Sequence, residues 1–205
     1  MLKYAVIAIV LIILSAILFH TLKVASKNKK EMDSYTETIE LNKDFGKSLV
    51  VFYSYSNGKR TKDIAQRIQQ QINADIYEIK TKQPMPSSVK IYISSKQELK
   101  SKKYPEIIAD FPNFNEYDII FIGAPVWWYT MATPLYSFLQ IADFKGKKVV
   151  PFSTQGSNYG TFFEDFNKEI KNAEVLRGEN FNNVSEEYNN MVNNKITNWL
   201  NELEF

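Results

Sequence analysis

The segment from Ile119 to Tyr129 most constrains the fold. An uninterrupted apolar run, Ile119 to Ile122, predicts a strand that is buried on both faces. Gly123 is predicted to end this strand, and Pro125 lacks the N–H that a central ladder requires. Three aromatic residues follow at positions 127–129. They fall at the carboxyl edge of a buried strand, where open α/β sheets bind ligands, unless the tryptophans belong to the core.

Composition excludes several kinds of chemistry. The chain has no cysteine and a single histidine, His20, which lies beside the N-terminal apolar segment. The folded domain therefore lacks the Ser-His and Cys-His pairs of nucleophilic catalysis and the histidine or thiolate ligands of zinc and iron sites. A net charge of +2 gives no reason to expect nucleic acid as a partner. We expect no metal site and expect a cofactor to carry any demanding chemistry.

The N-terminus predicts a single membrane-spanning helix. Tyr4 to Leu22 would form a helix about 28 Å long, close to the thickness of a bilayer core. We expect residues 1–25 to be an uncleaved anchor, although a cleaved signal peptide has similar features. More lysines follow this segment than precede it, which predicts a cell-membrane protein with its domain on the cytoplasmic side. Residues 26–46 are interpreted as a polar tether and residues 47–205 as the folded domain.

The remaining pattern predicts an α/β fold. Strand-like segments alternate with helical ones, so we expect a doubly wound, five-stranded parallel sheet in the order 2-1-3-4-5. The predicted strands are Lys47 to Tyr53, Ala74 to Lys80, Ile119 to Ile122, Lys148 to Phe152 and Ala173 to Leu176. One surface helix is predicted around Ser95 to Ser101.

Polar loops follow two of the central strands. Ser54 to Thr61 is crowded with hydroxyls around Gly58, and Lys59 and Arg60 add charge, which suits a phosphate as well as an ordinary turn. A second polar loop, Thr154 to Gly160, follows the fourth strand. With strands 1, 3 and 4 adjacent, both loops would converge with the aromatic segment, indicating a mononucleotide that carries a planar ring.

These motifs resemble the flavodoxin family over roughly Lys47 to Leu203. The most specific is Gly-x-Pro-x-Trp-Trp at 123–128; the Ser54-x-Ser56 loop and Pro-Phe-x-Thr-x-Gly at 151–156 are the others. The resemblance implies FMN, bound without covalent attachment. It implies that the phosphate is held by Ser54, Ser56, Asn57, Gly58, Lys59 and Thr61. It implies that the flavin ring contacts Pro125, Val126, Trp127, Trp128, Tyr129, Thr154, Gln155, Gly156, Ser157 and Tyr159. Tyr129 stands where the family commonly has glycine.

Three functions are compatible with this pattern. A membrane-anchored electron carrier fits a chain that lacks acid-base residues, with a redox partner protein or a membrane quinone as its partner. An FMN-dependent NAD(P)H:quinone-type reductase is a second possibility, because an anchor suits a lipid-soluble substrate. A flavin-free binding module is the third.

Overall fold

The computed structural model of the chain describes residues 2–55, 59–87 and 89–205. The chain divides into two compact units, one comprising residues 1–39 with 184–195 and the other residues 40–183 with 196–205. The helices are α1 (Leu2–Met32), α2 (Arg60–Ile72), α3 (Val89–Ser101), α4 (Thr133–Ile141), α5 (Phe162–Glu169) and α6 (Asn189–Glu202). The strands are β1 (Ser48–Phe52), β2 (Asp75–Glu78), β3 (Ile119–Trp127), β4 (Thr130–Met131), β5 (Lys147–Gln155), β6 (Ala173–Val175) and β7 (Glu179–Asn182).

The first unit contains the long N-terminal helix. Helix α1 is long and apolar enough to cross a membrane, a property that a signal sequence near an N-terminus shares. It continues past the apolar segment to Met32, so the first part of the predicted tether is helical. Within this unit the ammonium of Lys195, almost fully buried, pairs with Glu31.

The second unit is built on a twisted parallel sheet with helices on its faces. The strand order β2-β1-β3-β5-β6 confirms the predicted order, with β5 and β6 as the fourth and fifth predicted strands. Strand β1 is buried along its whole length, and so is β3 from Ile119 to Ala124. Because β1, β3 and β5 are neighbours at the centre, their carboxyl ends meet at one edge of the sheet.

Strand β3 is longer than predicted, because neither Gly123 nor Pro125 ends it. Gly123 stays within the ladder, and a Cβ there would lie 2.1 Å from the ring of Phe152. The carbonyl of Gly123 accepts a hydrogen bond from the amide of Tyr53, so this residue faces β1. Pro125, two residues on, faces the same side, where β1 has already ended. Its missing N–H therefore costs no ladder bond, while the strand still pairs with β5 as far as Thr154.

Two further short strands were not predicted. Strand β4 folds back antiparallel on the end of β3, pairing Trp127 with Thr130. Strand β7 pairs with the second half of β5, while β6 pairs with its first half. The edge is broken at Gly178, where a Cβ would lie 2.6 Å from the carbonyl oxygen of Pro151. Among the residues that the structure describes, the sheet therefore has seven strands, the predicted five and these two short additions.

Helix α3 begins at Val89, six residues before the predicted start at Ser95. The difference matters because the added residues include Ile91 and Tyr92, which reach the candidate site.

Candidate functional site

A large cleft opens at the carboxyl edge of the sheet. Its volume is about 740 Å³, within the range of pockets that hold cofactors. The lining is mostly aromatic and apolar. It consists of Tyr55, Ile91, Tyr92, Ser95, Val126, Trp127, Trp128, Tyr129, Gln155, Gly156, Ser157 and Asn158.

A smaller hollow of about 220 Å³ adjoins the cleft, since both are lined by Tyr55, Val126, Trp127, Gln155 and Gly156. The remaining lining residues of the hollow are Ser54, Lys59, Arg60, Thr61, Pro125, Thr154 and Asn183. Most side chains that line the hollow are thus polar and two are cationic, whereas the cleft is lined mainly by aromatic residues. Together they match an elongated ligand with an anionic end and a flat apolar end.

The structure brings most of the predicted site residues to this edge. Tyr159 lines neither space; it is 41% exposed and its ring packs edge-on against Phe163. The predicted phosphate-loop residues Ser56, Asn57 and Gly58 lie outside the residues that the structure describes. The other twelve predicted residues line the cleft, the hollow or both.

The aromatic segment forms the tip of a tight hairpin. Trp128 and Tyr129 connect β3 to β4, and both adopt the left-handed region, with φ of 54° and 64°. Two-residue hairpin turns with both φ values positive normally carry asparagine and glycine, and left-handed backbone is strained for bulky residues. The aromatic side chains are therefore held here at a conformational cost, which is typical of functional sites.

A glycine fixes the position of this tip. A Cβ on Gly160 would lie 2.1 Å from the carbonyl oxygen of Tyr129, so only glycine allows the close approach. The same carbonyl accepts a hydrogen bond of 2.7 Å from the amide of Thr161. The start of α5 thus holds the aromatic hairpin by backbone contacts.

An acidic side chain supports the same hairpin. The carboxylate of Asp165 accepts hydrogen bonds from the hydroxyls of Thr130, at 2.6 Å, and Thr161, at 2.5 Å. Burial raises the pKa of Asp165, but the hydroxyl hydrogen bonds and Lys168 outweigh burial and leave the pKa below its usual value. The hydroxyl of Tyr136 lies 2.6 Å from that of Thr130, and burial raises its pKa to about 12.

The two tryptophans have different environments. Trp127 is half-buried, and its ring meets Tyr53 and Tyr55 edge-on at 5.8 and 5.7 Å. It packs against the core while it also faces the cleft. Trp128 is 42% exposed and leans on α3, where its Nε1 donates a 3.1 Å hydrogen bond to Ser95. The alternative that the tryptophans are core residues holds partly for Trp127 and not for Trp128.

Sequence reasoning missed several lining residues. Tyr55 lies between the predicted Ser54 and Ser56, and its hydroxyl donates a 2.6 Å hydrogen bond to the carbonyl of Pro86. Ile91, Tyr92 and Ser95 belong to α3, whose sequence gives no sign that it reaches the sheet edge. Among these missed residues only Tyr55 carried a signal in the sequence, because it is an aromatic residue within a hydroxyl-rich loop.

Arg60 stands out at the phosphate end. It lines the hollow, and its Nη1 donates a 2.9 Å hydrogen bond to Asp63. Its Nε and Nη2 are buried and have no hydrogen-bond partner among the described residues. Burial lowers the pKa of Arg60, and Asp63 only partly opposes this. A buried guanidinium with two unused donor atoms is suited to a bidentate anion such as phosphate.

The hydroxyls of Thr61 and Thr154 meet at the back of the hollow, 2.6 Å apart. Nearby, the Gln155 side chain accepts from Ser153 and donates to Asn180 at 2.8 Å. These hydrogen bonds hold the last residues of β5, from which the second predicted loop begins. No cluster of three or more metal-ligating side chains occurs in the described part of the chain.

Comparison with known proteins gives a consistent result. The family model described as Flavodoxin matches residues 47–203. A flavoprotein from Lactobacillus acidophilus NCFM, solved in complex with FMN, is 28% identical to this chain, with a TM-score of 0.60. The match covers 65% of this chain and 92% of the flavoprotein chain. A protein from Bacteroides eggerthii DSM 20697 is 27% identical with a TM-score of 0.64, covering 75% of this chain and 95% of its own. Among curated proteins, none matches the chain.

Proposed function

Because the chain belongs to the flavodoxin family, we propose that it binds FMN without a covalent bond and transfers electrons as a membrane-anchored carrier. FMN, when bound, supplies the capacity to accept and donate electrons one or two at a time. The protein's own residues bind the phosphate, hold the ring and exclude water from it.

The observation that carries this proposal is the guanidinium of Arg60, whose Nε and Nη2 have no described partner, beside an aromatic cleft. Burying two donor atoms without a described partner costs free energy, and an anion would satisfy both. Lys59 lines the same hollow and adds a second positive charge. The charge and hydrogen-bonding capacity at this end therefore fit a phosphate monoester.

The flat apolar end fits an aromatic ring system. Trp127 and Val126 line both the cleft and the hollow, so a ligand that spans the two spaces passes these side chains. Trp128 offers a second indole on the α3 side. Aromatic faces of this kind contribute apolar contact and stacking while they exclude water.

Membrane anchoring is the second part of the proposal. Helix α1 has the length and composition to span a bilayer, and the lysines that follow its apolar segment favour a cytoplasmic domain. An anchor raises the effective concentration of the domain near a membrane partner. The partner is a redox protein of the membrane or a membrane quinone.

A matched pair of variants tests the phosphate contact. We expect Arg60→Gln to weaken FMN binding roughly 10- to 100-fold, the range for loss of a hydrogen bond to a charged group. Arg67→Gln is the control, because Arg67 pairs with the same Asp63 at 2.9 Å but lines neither space. Fluorescence titration of the apoprotein with FMN measures both. Equal affinities in the two variants would contradict the proposed phosphate site.

A second candidate function is an FMN-dependent NAD(P)H:quinone-type reductase. The size of the cleft favours it, together with Tyr92 and Tyr129 at its lining, which are 64% and 65% exposed. Anaerobic mixing with NADH or NADPH distinguishes the two. Slow bleaching of the flavin by NADH or NADPH, together with two separate one-electron steps in a dithionite titration, supports the carrier. Rapid bleaching by NADH or NADPH, within one turnover time, supports the reductase.

A further inference from the structure

Helix α3 carries an unusual exposed face. Val89, Tyr92 and Ile93 are 70%, 64% and 66% exposed, while Ile91 on the other side of the helix is buried. The exposed Lys96 and Lys100 lie at helical spacing from Val89 and Ile93, so they fall on the same stripe. Large apolar side chains therefore occupy the first half of the outside of the helix, and lysines occupy the second half.

The charge of this region is concentrated and positive. Residues 89–103 contain five lysines and one glutamate, five minus one giving +4, compared with +2 for the whole chain. The single acid, Glu98, is only partly exposed, and one of its carboxylate oxygens is buried. None of the ion pairs among the described residues uses a lysine of this segment. The lysines are thus available to an external anionic partner.

The hairpin tip extends the same face. Trp128 contacts Tyr92 edge-on at 6.3 Å between ring centroids, and the ammonium of Lys96 lies 4.7 Å from the centre of its indole. Tyr129 beside it is 65% exposed. We name the combined surface the α3 face; it consists of Val89, Tyr92, Ile93, Lys96, Lys100, Trp128 and Tyr129.

We propose that the α3 face docks on the surface of an anionic lipid bilayer. Exposed tyrosine and tryptophan suit the boundary between headgroups and acyl chains, since they combine an apolar ring with a polar atom. Lysines extend their ammonium groups toward lipid phosphates while their methylene stems stay in apolar surroundings. A protein partner would be expected to meet fewer lysines, because lysine is depleted in the cores of protein interfaces.

Docking has a functional consequence. Tyr92, Trp128 and Tyr129 belong to the α3 face and also line the 740 Å³ cleft. A docked domain would therefore present the mouth of the cleft to the bilayer, from which a lipid-soluble electron partner could approach. The docking itself depends on charge and exposure and does not require that flavin is bound.

The absence of cysteine from the chain provides a direct test. Ile93→Cys in the full-length protein is spin-labelled, and the protein is reconstituted in phosphatidylcholine vesicles with or without phosphatidylglycerol. Power saturation compares collisions with oxygen, which partitions into acyl chains, with those of a water-soluble nickel complex. We expect the label to be oxygen-accessible and nickel-protected only with phosphatidylglycerol present.

Two controls make the result specific. Ile141→Cys, at the far end of α4 and 56% exposed, should remain nickel-accessible in both vesicles. Lys96→Gln with Lys100→Gln should lower the docked-to-free ratio roughly thirtyfold, whereas Lys145→Gln with Lys171→Gln, at the opposite edge of the sheet, should leave it unchanged. High salt should lower the docked-to-free ratio of the wild type, as Lys96→Gln with Lys100→Gln does, because salt screens the attraction between the lysines and the lipid phosphates.

Two outcomes would overturn the proposal: equal nickel access at position 93 in both vesicles, or oxygen access that the α3 lysine variants do not change. Either outcome would indicate that the α3 face binds a protein partner and not a bilayer. The lysines lie outside α1 and line neither the cleft nor the hollow. Failure of docking is therefore distinguished from failure of anchoring, which carbonate extraction reports, and from failure of FMN binding, which the absorption spectrum reports for each variant.

Discussion

The hydroxyls of Thr61 and Thr154 lie 2.6 Å apart, and both residues are nearly fully buried. Thr61 is in the first turn of α2, and Thr154 is near the end of β5. One hydrogen bond therefore joins the predicted phosphate loop to the predicted ring-contacting loop, so the spacing of the two loops is set by the protein.

Breaking this bond should destabilise the domain. Thr154→Val leaves the Thr61 hydroxyl buried without its partner, and we expect the free energy of unfolding to fall by about 1–3 kcal/mol. The double variant with Thr61→Val should recover part of that loss, because both polar groups are then replaced by apolar ones of similar shape. Urea unfolding of the apoprotein measures Thr154→Val, Thr61→Val and the double variant. Strictly additive losses would show that the hydroxyls do not interact.

The two tryptophans should separate binding from stability. Trp128→Ala removes an exposed indole, so we expect FMN binding to weaken by roughly 1–3 kcal/mol with little change in unfolding. Trp127→Ala should weaken binding and also destabilise the fold. Truncating a fully buried tryptophan costs roughly 3–5 kcal/mol, and we expect a smaller loss at the half-buried Trp127. Titration with FMN and urea unfolding provide the two readouts. Unchanged FMN affinity in both variants would remove the aromatic residues from the site.

Strain at the hairpin tip predicts that glycine is more stabilising than alanine there, the reverse of their order in a helix. At Tyr129, with φ of 64°, glycine should be more stable than alanine by about 1–2 kcal/mol, the cost of left-handed backbone for a residue with a Cβ. At Tyr92, inside α3, the order should reverse by about 1 kcal/mol. Because both variants at each position lack the tyrosine side chain, the comparison isolates the effect of the backbone conformation. If alanine is the more stable at position 129, the turn is not left-handed there.

Asp165 predicts an acid-dependent loss of stability. Its pKa is lower in the folded chain than in the unfolded chain, so its contribution is complete above the unfolded value, about 3.9. That contribution is lost as the pH falls through the folded pKa. Below about pH 4, the unfolding free energy of the wild type should fall more steeply than that of Asp165→Asn. Parallel pH profiles in urea melts would contradict this.

The sequence predicted the central sheet because its signals are local. Continuous apolar runs mark the buried strands, and their alternation with helical segments predicts a doubly wound parallel sheet, for which 2-1-3-4-5 is a common order. The same reasoning could not show that Pro125 stays inside β3. Whether a missing N–H breaks a ladder depends on which neighbour it faces and where that neighbour ends, and this is set by strand register.

The rest of the site depends on contacts that are distant in sequence. Nothing near Trp128 and Tyr129 marks a left-handed turn, because the usual asparagine and glycine are absent and Gly160 provides the space instead. Helix α3 reaches the cleft through the hydrogen bond from Trp128 to Ser95, which joins residues 33 positions apart. Periodicity predicts a helix there, but it does not predict which loop the helix contacts.

The absorption spectrum of the purified full-length protein tests the central claim most directly. We expect a yellow protein whose flavin bands disappear from the polypeptide after acid precipitation, with one equivalent of FMN released into the supernatant. The colourless apoprotein should recover those bands when FMN is added, and Arg60→Gln should recover them only at higher FMN concentrations. A colourless protein that shows no binding when titrated with FMN would contradict the account.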